Sequence, residues 1–541
     1  MLKRIINSQT KTIGAAALVV AFANLASRFL GIWRDRILAG TFGAGDELDI
    51  YYAAFRIPDL IFHLLVVGGL SASFIPLFLE HRQKSEDGKK DEHWQVASNV
   101  LNLTVLAVFL CALAALFLMP CVFKIFTPGF SEEKLNLAVN MSRLILISPL
   151  FLTISHIFGG VLQSFRRFLI FSFSSIFYNL GIIFGALVLV NFWGIYGLAW
   201  GVILGAFLHA VIQIPTLLGC GFRYFGIFEF RHPAVRQIIK LMIPRTLGLG
   251  TLQFNWIIMT ALASMLAAGS LAIFNLANNF QGFLVGLFGV SFATAAFPNL
   301  SESAAKQNFS EFSKTFFSSL RQISFFVFPT SILLIVLATP LIRVILETGS
   351  FQRAATLETA DVLRFFALSI FTQAAALLVI RVFFALKNTL FPFLAAVFTV
   401  IANIIFALIF LGPLGVKGLA LAYSIASFLN FSILCFFLKK ITPPNFFNFF
   451  PYSAFLKIIL GSIAAGAAAL IIFLASGRFF DLNSLSGSFF QLFCAGFAGL
   501  SIYAAFSLIF KSEEMLNFLI IFKNFFQRKP PIPPTISLNG Q

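Results

Sequence analysis

The sequence predicts an all-α polytopic membrane protein of about 14 transmembrane helices, built as two parallel-repeat six-helix lobes plus two C-terminal helices. Three observations carry this reading. Of the 541 residues, 59% are hydrophobic and only 11% charged, whereas a soluble domain carries about 25% charged residues. Apolar blocks of roughly 20 residues, the length that crosses a hydrocarbon core, recur from end to end. Two short motifs return after 221 or 222 positions.

The blocks lie near 13–37, 49–79, 95–119, 135–163, 168–190, 194–218, 237–266, 271–300, 315–339, 359–386, 390–411, 415–438, 454–476 and 486–510. In lipid the backbone must satisfy its own polar groups, which admits only helices and closed barrels, and runs this long are helices. The first block ends on Arg28, Arg34, Asp35 and Arg36. Lys3 and Arg4 before it resemble the start of a signal peptide. Cleavage would discard part of a helix that these arginines continue, so the span is expected to remain. The second block carries Asp49, Arg56, Asp59 and His63; Asp49, Arg56 and His63 follow at intervals of seven and share a helical face. The last two blocks, from about Ala454, have no counterpart earlier in the chain. The tail from Lys511 is basic and then Pro-rich at Pro530–Pro534, which predicts a surface helix followed by a disordered end.

The formal charge of +17 is distributed by side. Lys3, Arg4 and Lys11, then Arg82, Lys84, Lys89 and Lys90, then Arg166 and Arg167, Arg223, Arg231, Arg236 and Lys240, and finally Lys439 and Lys440 fall in alternate connections. The opposite connections are neutral or acidic, with Asp46, Glu47, Glu132 and Glu133. That is the positive-inside pattern, and it places both termini in the cytoplasm. The excess charge is therefore topology, and no nucleic-acid partner is expected.

Gly194-Ile195-Tyr196-Gly197-Leu198-Ala199 returns as Gly415-Val416-Lys417-Gly418-Leu419-Ala420, and Pro76 in Phe74–Glu80 is echoed by Pro298 in Phe297–Glu302. Asn179 and Asn403 precede the two glycine pairs. Six helices intervene, so the copies run parallel. Residues 1–218 are the expected first lobe, 219–440 the second, 441–510 the two extra helices and 511–541 a cytoplasmic tail. Two such lobes are a transporter layout, with substrate held near mid-membrane.

A charge inside a membrane helix is costly and usually faces a bundle interior. Arginine's planar fork matches phosphate oxygens two at a time, so Arg28, Arg34 and Arg56 would suit a phosphate-bearing ligand, with Asp49 ordering an arginine. Asp35, His63, Asn279 and Arg381 are further candidates, Arg381 because it lies too deep for simple interface anchoring. Plainer roles compete with these. Arg36 at a helix end can snorkel, Asp59 beside Pro58 can be a kink contact, and His63, His156 and His209 can be packed. Arg143, Arg321 and Arg364 lie where interface anchoring is the default. The five cysteines have neither metal spacing nor a paired framework. There is no phosphate-loop motif, metal-binding helix motif or carboxylate pair beside a nucleophile, so neither an enzyme nor a resident cofactor or metal is expected.

The opening run Ser27-Arg28-Phe29-Leu30-Gly31-Ile32-Trp33-Arg34-Asp35 resembles the Ser-Arg-x-Leu-Gly-x-x-Arg-Asp of the MurJ (MviN) family of lipid II flippases. That family lies within the multidrug/oligosaccharidyl-lipid/polysaccharide exporter superfamily. Phe42-Gly43-Ala44-Gly45, Asp49, Phe55-Arg56-Ile57-Pro58, Pro128-Gly129-Phe130, Gly286–Val290 with Pro298, and Arg381–Ala385 with Thr389 and Pro392 follow in the family's order. The resemblance covers residues 13 to about 440. It implies a flippase of the bacterial cytoplasmic membrane that moves an undecaprenyl-diphosphate-linked peptidoglycan precursor outward by alternating access. The implied substrate-binding residues are Arg28, Arg34 and Asp49, and cell-wall synthesis machinery is an implied partner. The chain departs from the family at Phe62 and His63, where basic residues are frequent, at Val67, at Asn278-Asn279 in place of Asp-Arg, and at Gly282. Sodium coupling is not expected, since Ile243–Met265 and Leu390–Leu411 contain no acid. Two alternatives are another polyprenyl-linked glycan as cargo and a cation-coupled drug antiporter of the same superfamily. An antiporter for organic cations would need an acidic cavity; these residues make a basic one.

Overall fold

A computed structural model describes residues 13–68, 70–86, 91–477 and 484–526. Lys3, Arg4, Lys11, Lys89, Lys90 and Pro530–Pro534 lie outside the described residues. All regular structure among the described residues is helical, with the main helices in the order α1 (Ile13–Phe42), α2 (Asp46–Ala54), α3 (Arg56–Phe62), α4 (Leu70–Glu86), α5 (Glu92–Phe126), α6 (Glu132–Ile145), α7 (Ser148–Ser164), α8 (Phe168–Phe184), α9 (Tyr196–Val211) and α10 (Pro233–Ser264). There follow α11 (Ser270–Leu284), α12 (Ser291–Ala305), α13 (Phe309–Leu346), α14 (Arg353–Ala367), α15 (Ile370–Ala385), α16 (Leu390–Leu414), α17 (Val416–Ile441), α18 (Tyr452–Ser476), α19 (Leu485–Ile509) and α20 (Glu513–Phe526). Among the described residues, eleven helical runs are long and apolar enough to span a membrane, or twelve when α14 and α15, bent by 43° at Leu368 and Ser369, count as one. Helices α1 and α10, of 30 and 32 residues, stand where the first and seventh spans are expected.

The second expected span is broken rather than continuous. Pro58 has no N–H to offer the carbonyl of Ala54 one turn back, and the hydroxyl of Ser142 donates to that carbonyl instead, at 2.7 Å. The helix therefore divides at Phe55 into α2 and α3, and a π-helical turn, His63–Val67, follows.

The backbone carries the repeat seen in the sequence. The π turn at His63–Val67 returns at Val285–Val290. Arg166 and Lys387 are both left-handed, at φ 57°, and Gly194 and Gly415 match at 55° and 57°. Each pair keeps the 221 or 222 offset of the motifs.

Two compact units form. The first gathers 1–283 with 345–362 and 393–430, and the second gathers 284–344, 363–392 and 431–541. In the first, α8 and α9 touch backbone to backbone. A Cβ on Gly181 would lie 2.3 Å from Gly205, and one on Gly185 would lie 2.6 Å from Gly201, a small-residue contact of the kind membrane helices use. In the second, Ala465, Ala469 and Ala495 of the α18–α19 hairpin pack on Phe325, Leu333 and Leu337 of α13, and the Tyr503 hydroxyl donates to the Phe325 carbonyl. Helix α20 is tied to α13 by Arg321, which pairs with Glu513 and Glu514.

Candidate functional site

Of the eight residues selected from the sequence, Asn279 lies on α11, Arg28, Asp35, Asp49 and Arg56 bond that helix or its start, and Arg34 joins through Asp35, all within the first compact unit. At its start, the Asp49 carboxylate accepts from the backbone N–H of Gly269 at 2.8 Å and of Ala272 at 2.9 Å. The first N–H groups of a helix have no intrahelical partner, and a negative charge there meets the positive end of the helix dipole. Asp49, itself 3% exposed, thus caps α11 from a different helix. Lys134 joins it, with Nζ 2.9 Å from Asp49 and 2.6 Å from Asp46, resting over the Phe130 ring.

One turn on, Arg56 Nη2 donates to Asn275 Oδ1 and Nε to Thr260 Oγ1, both at 2.7 Å, with the guanidinium 5.3 Å from the Trp256 ring centre. Another turn on, Asn279 donates to Asp35 at 2.8 Å. Asp35 also takes Nε and Nη2 of Arg34 at 3.0 and 2.7 Å, while Arg34 Nη1 reaches Asn179 Oδ1 at 3.1 Å. At the far end, Arg28 Nη1 donates to the carbonyls of Gly282 and Phe283 at 3.3 and 3.4 Å. The contacts fall at positions 269–272, 275, 279 and 282–283, spacings of three or four that place them on one face of α11.

The three arginines are not equivalent. Arg34 is neutralised by a two-pronged bond to buried Asp35. Arg28 and Arg56 spend their hydrogen bonds on neutral oxygens; the nearest acid to Arg56 along the chain is Asp59, one turn further on in α3. Each uses a fraction of the five N–H donors of a guanidinium. The cluster therefore holds two cations with no acid bonded to them among the described residues, steadied by neutral oxygens, a chemistry that suits an anion.

His63 and Arg381 do not join the cluster. His63 begins the π turn beside Phe62, whose ring meets His156 edge-on at 5.2 Å. Arg381, in the second unit, lies over the Phe297 ring at 5.4 Å. His209 is buried and bonded to Ser155 at 2.5 Å and Ser174 at 3.1 Å, and Arg364 bonds Thr339 at 2.8 Å and the Ile335 carbonyl; both are packing roles. Arg36 donates to the Ile345 carbonyl at 2.7 Å. Residues the sequence reading missed are Lys134, Thr260, Asn275 and, as a partner of Arg34, Asn179. Only Asn179 had left a trace, as a repeated mid-span asparagine.

The connections around the start of α11 meet closely. A Cβ on Gly269, which is left-handed at φ +87°, would lie 2.2 Å from the Ala44 carbonyl, and one on Gly129 would lie 2.1 Å from that of Ser264. Only glycine permits these approaches.

The family model described as lipid II flippase MurJ matches residues 38–490. The chain belongs to the MurJ family. A probable lipid II flippase MurJ of Buchnera aphidicola subsp. Baizongia pistaciae (strain Bp) is 28% identical over 493 residues, covering 87% of this chain and 94% of the relative. A solved structure described as lipid II flippase MurJ, inward closed conformation, matches with TM-score 0.76 at 26% identity, over 92% of this chain and 99% of that one. An inward-facing multidrug resistance MATE family transporter of the MOP superfamily shares the fold, with TM-score 0.63 at 14% identity over 78% of this chain and all of its own length.

Proposed function

We propose that this protein is a flippase that carries undecaprenyl-diphosphate-linked peptidoglycan precursor, lipid II, from the inner to the outer leaflet of the bacterial cytoplasmic membrane. Family membership supports the substrate class. The observation that carries the reading is the pair of arginines, Arg28 and Arg56, held on α11 by neutral partners. A diphosphate would supply the oxygens their remaining donors require. Arg34, already paired with Asp35, orders the site. Asp49, by capping α11, holds the cluster in the arrangement seen here, and its release would accompany the change of access.

In this reading residues 1–218 and 219–440 act as two lobes in alternating access, with 441–510 as an appendix and both termini in the cytoplasm, as the basic connections require. No nucleotide is used directly, and cell-wall synthesis enzymes are the natural recipients of the cargo. The test is rescue of a cell depleted of its own lipid II flippase, together with translocation of labelled lipid II by the purified protein. Wild-type translocation by a double Arg28→Ala, Arg56→Ala variant at matched expression would reject the proposal.

A further inference from the structure

The first unit carries ionisable groups within its spans that the α11 cluster leaves aside. Asp59 of α3 and His63, which opens the π turn, stand past the middle of the span Asp46–Val67. The His63 N–H donates to the Asp59 carbonyl, so the two residues are one helical turn apart and share a face. His156 of α7 is the third group: the Phe62 ring lies 5.9 Å from the His63 ring and 5.2 Å from that of His156. All three residues are half-buried. No hydrogen bond reaches the Asp59 carboxylate or either imidazole ring among the described residues.

These groups face inward. Asp59 acts electrostatically on Tyr51 of α2 and Tyr178 of α8, and His63 and Arg56 act on Asp59. His63 acts in turn on His156, and His156 on His209. Arg34 and Asp35 of α1 reach the same field through Tyr51. Of the elements that pack on the π turn, α4 holds no ionisable side chain over 70–77 and α5 none over 100–110. Thr246 of α10, the residue after Arg245, donates its hydroxyl to the Leu64 carbonyl at 3.2 Å.

An ionised carboxylate without a hydrogen bond is costly inside a membrane. Arg56, three residues before Asp59, supplies the opposite charge. That balance is lost when Arg56 takes a phosphate oxygen, because a carboxylate and an anion then compete for one guanidinium. A proton on the Asp59–His63 pair restores it, and two interacting groups one turn apart take up such a proton as a unit. Packed polar residues would be bonded and closed off, and these are neither. Runs of Asp and His within membrane helices serve as proton relays, and π-helical turns are frequent at functional positions.

We propose that Asp59 and His63, with His156 beside them, form a proton-binding site that fills from water when an anion occupies Arg56. The proposal rests on the anion-binding reading of Arg28 and Arg56, but not on which sugar or peptide is carried. If binding takes up one proton, affinity for a diphosphate falls about tenfold per pH unit as the pH rises through the pair's range. Ionisation of the diphosphate itself acts the other way, since added charge strengthens its bonds to arginine.

The full-length protein in nanodiscs is titrated with undecaprenyl diphosphate by calorimetry in buffers of different ionisation enthalpy. The unaltered protein should take up about one proton per diphosphate bound. Asp59→Asn and His63→Gln should bind the probe with that uptake lost and the fall of affinity with pH abolished, and Asp59→Glu should restore both. Asparagine matches aspartate in shape, so a purely structural role for Asp59 predicts an unchanged proton count. Uptake unchanged in both variants, or no uptake by the unaltered protein on binding, would overturn the proposal. A measurement without cargo tests the proton site by itself. Infrared difference spectra of the unliganded protein between about pH 5 and pH 8 should show carboxyl and imidazole bands that Asp59→Asn and His63→Gln remove. If the unaltered protein does not bind undecaprenyl diphosphate, the anion-binding reading falls and these bands decide alone: their presence supports the proton site, and their absence overturns it as well.

Discussion

Arg28, Arg34 and Arg56 read alike in the sequence, and their partners separate them. Arg34 forms an ion pair with Asp35, so its charge is already met, whereas among the described residues Arg28 and Arg56 bond neutral groups. Arg28→Ala and Arg56→Ala are each expected to remove about 1.5–3 kcal/mol of charge-assisted binding, a roughly tenfold or greater loss of lipid II affinity. Arg→Lys should retain partial activity, since an ammonium keeps the charge but not the fork. Binding of labelled lipid II to purified variants measures this. Asn179→Ala takes away the neutral acceptor of Arg34 and should slow translocation while leaving lipid II affinity within a few-fold of wild type, a split read from the concentration dependence of the rate. Equal loss in both quantities would make Asn179 a ligand contact.

At the scale of elements, α11 is the organising piece, because one face of it meets acid at its start and base at its end. Asp49→Ala would leave the Gly269 and Ala272 N–H groups without their acceptor, at about 1–3 kcal/mol for a buried unsatisfied group. The α2–α11 contact should loosen, and Ser264→Cys should react faster with a membrane-impermeant thiol reagent in that background. Gly129→Leu reaches the same end by steric means, since its Cβ alone would meet the Ser264 carbonyl at 2.1 Å. Unchanged labelling in both variants would show that this end is not held by these contacts. The break in the second span has a local cause of the same kind: Pro58 frees a carbonyl, and Ser142 occupies it.

For the whole molecule, the repeated π turns, left-handed residues and prolines predict that residues of the two repeats superpose about an axis along the membrane normal. An experimental structure in which the copies are inverted would contradict this. Reporter fusions at either terminus should report the cytoplasm, because the basic connections alternate with neutral ones along the chain.

Helicity, the approximate limits of most spans, the repeat and the concentration of charge in the first 63 residues were all legible in the sequence. Each depends on composition or on spacing along the chain, which lipid enforces locally. The π turns, the division at Phe55 and the bend between α14 and α15 were not legible, since apolar periodicity looks the same through a one-residue slip. Nor was the choice of partners. Arg28 and Gly282 are 254 positions apart, Arg56 and Asn275 are 219 apart, and Lys134 reaches Asp49 across 85. A polar side chain in a membrane helix announces that it needs a partner, but only the packing of helices decides which one it meets. That is why the sequence named the arginines and the tertiary structure decided which of them bonds a carboxylate and which bond neutral oxygens.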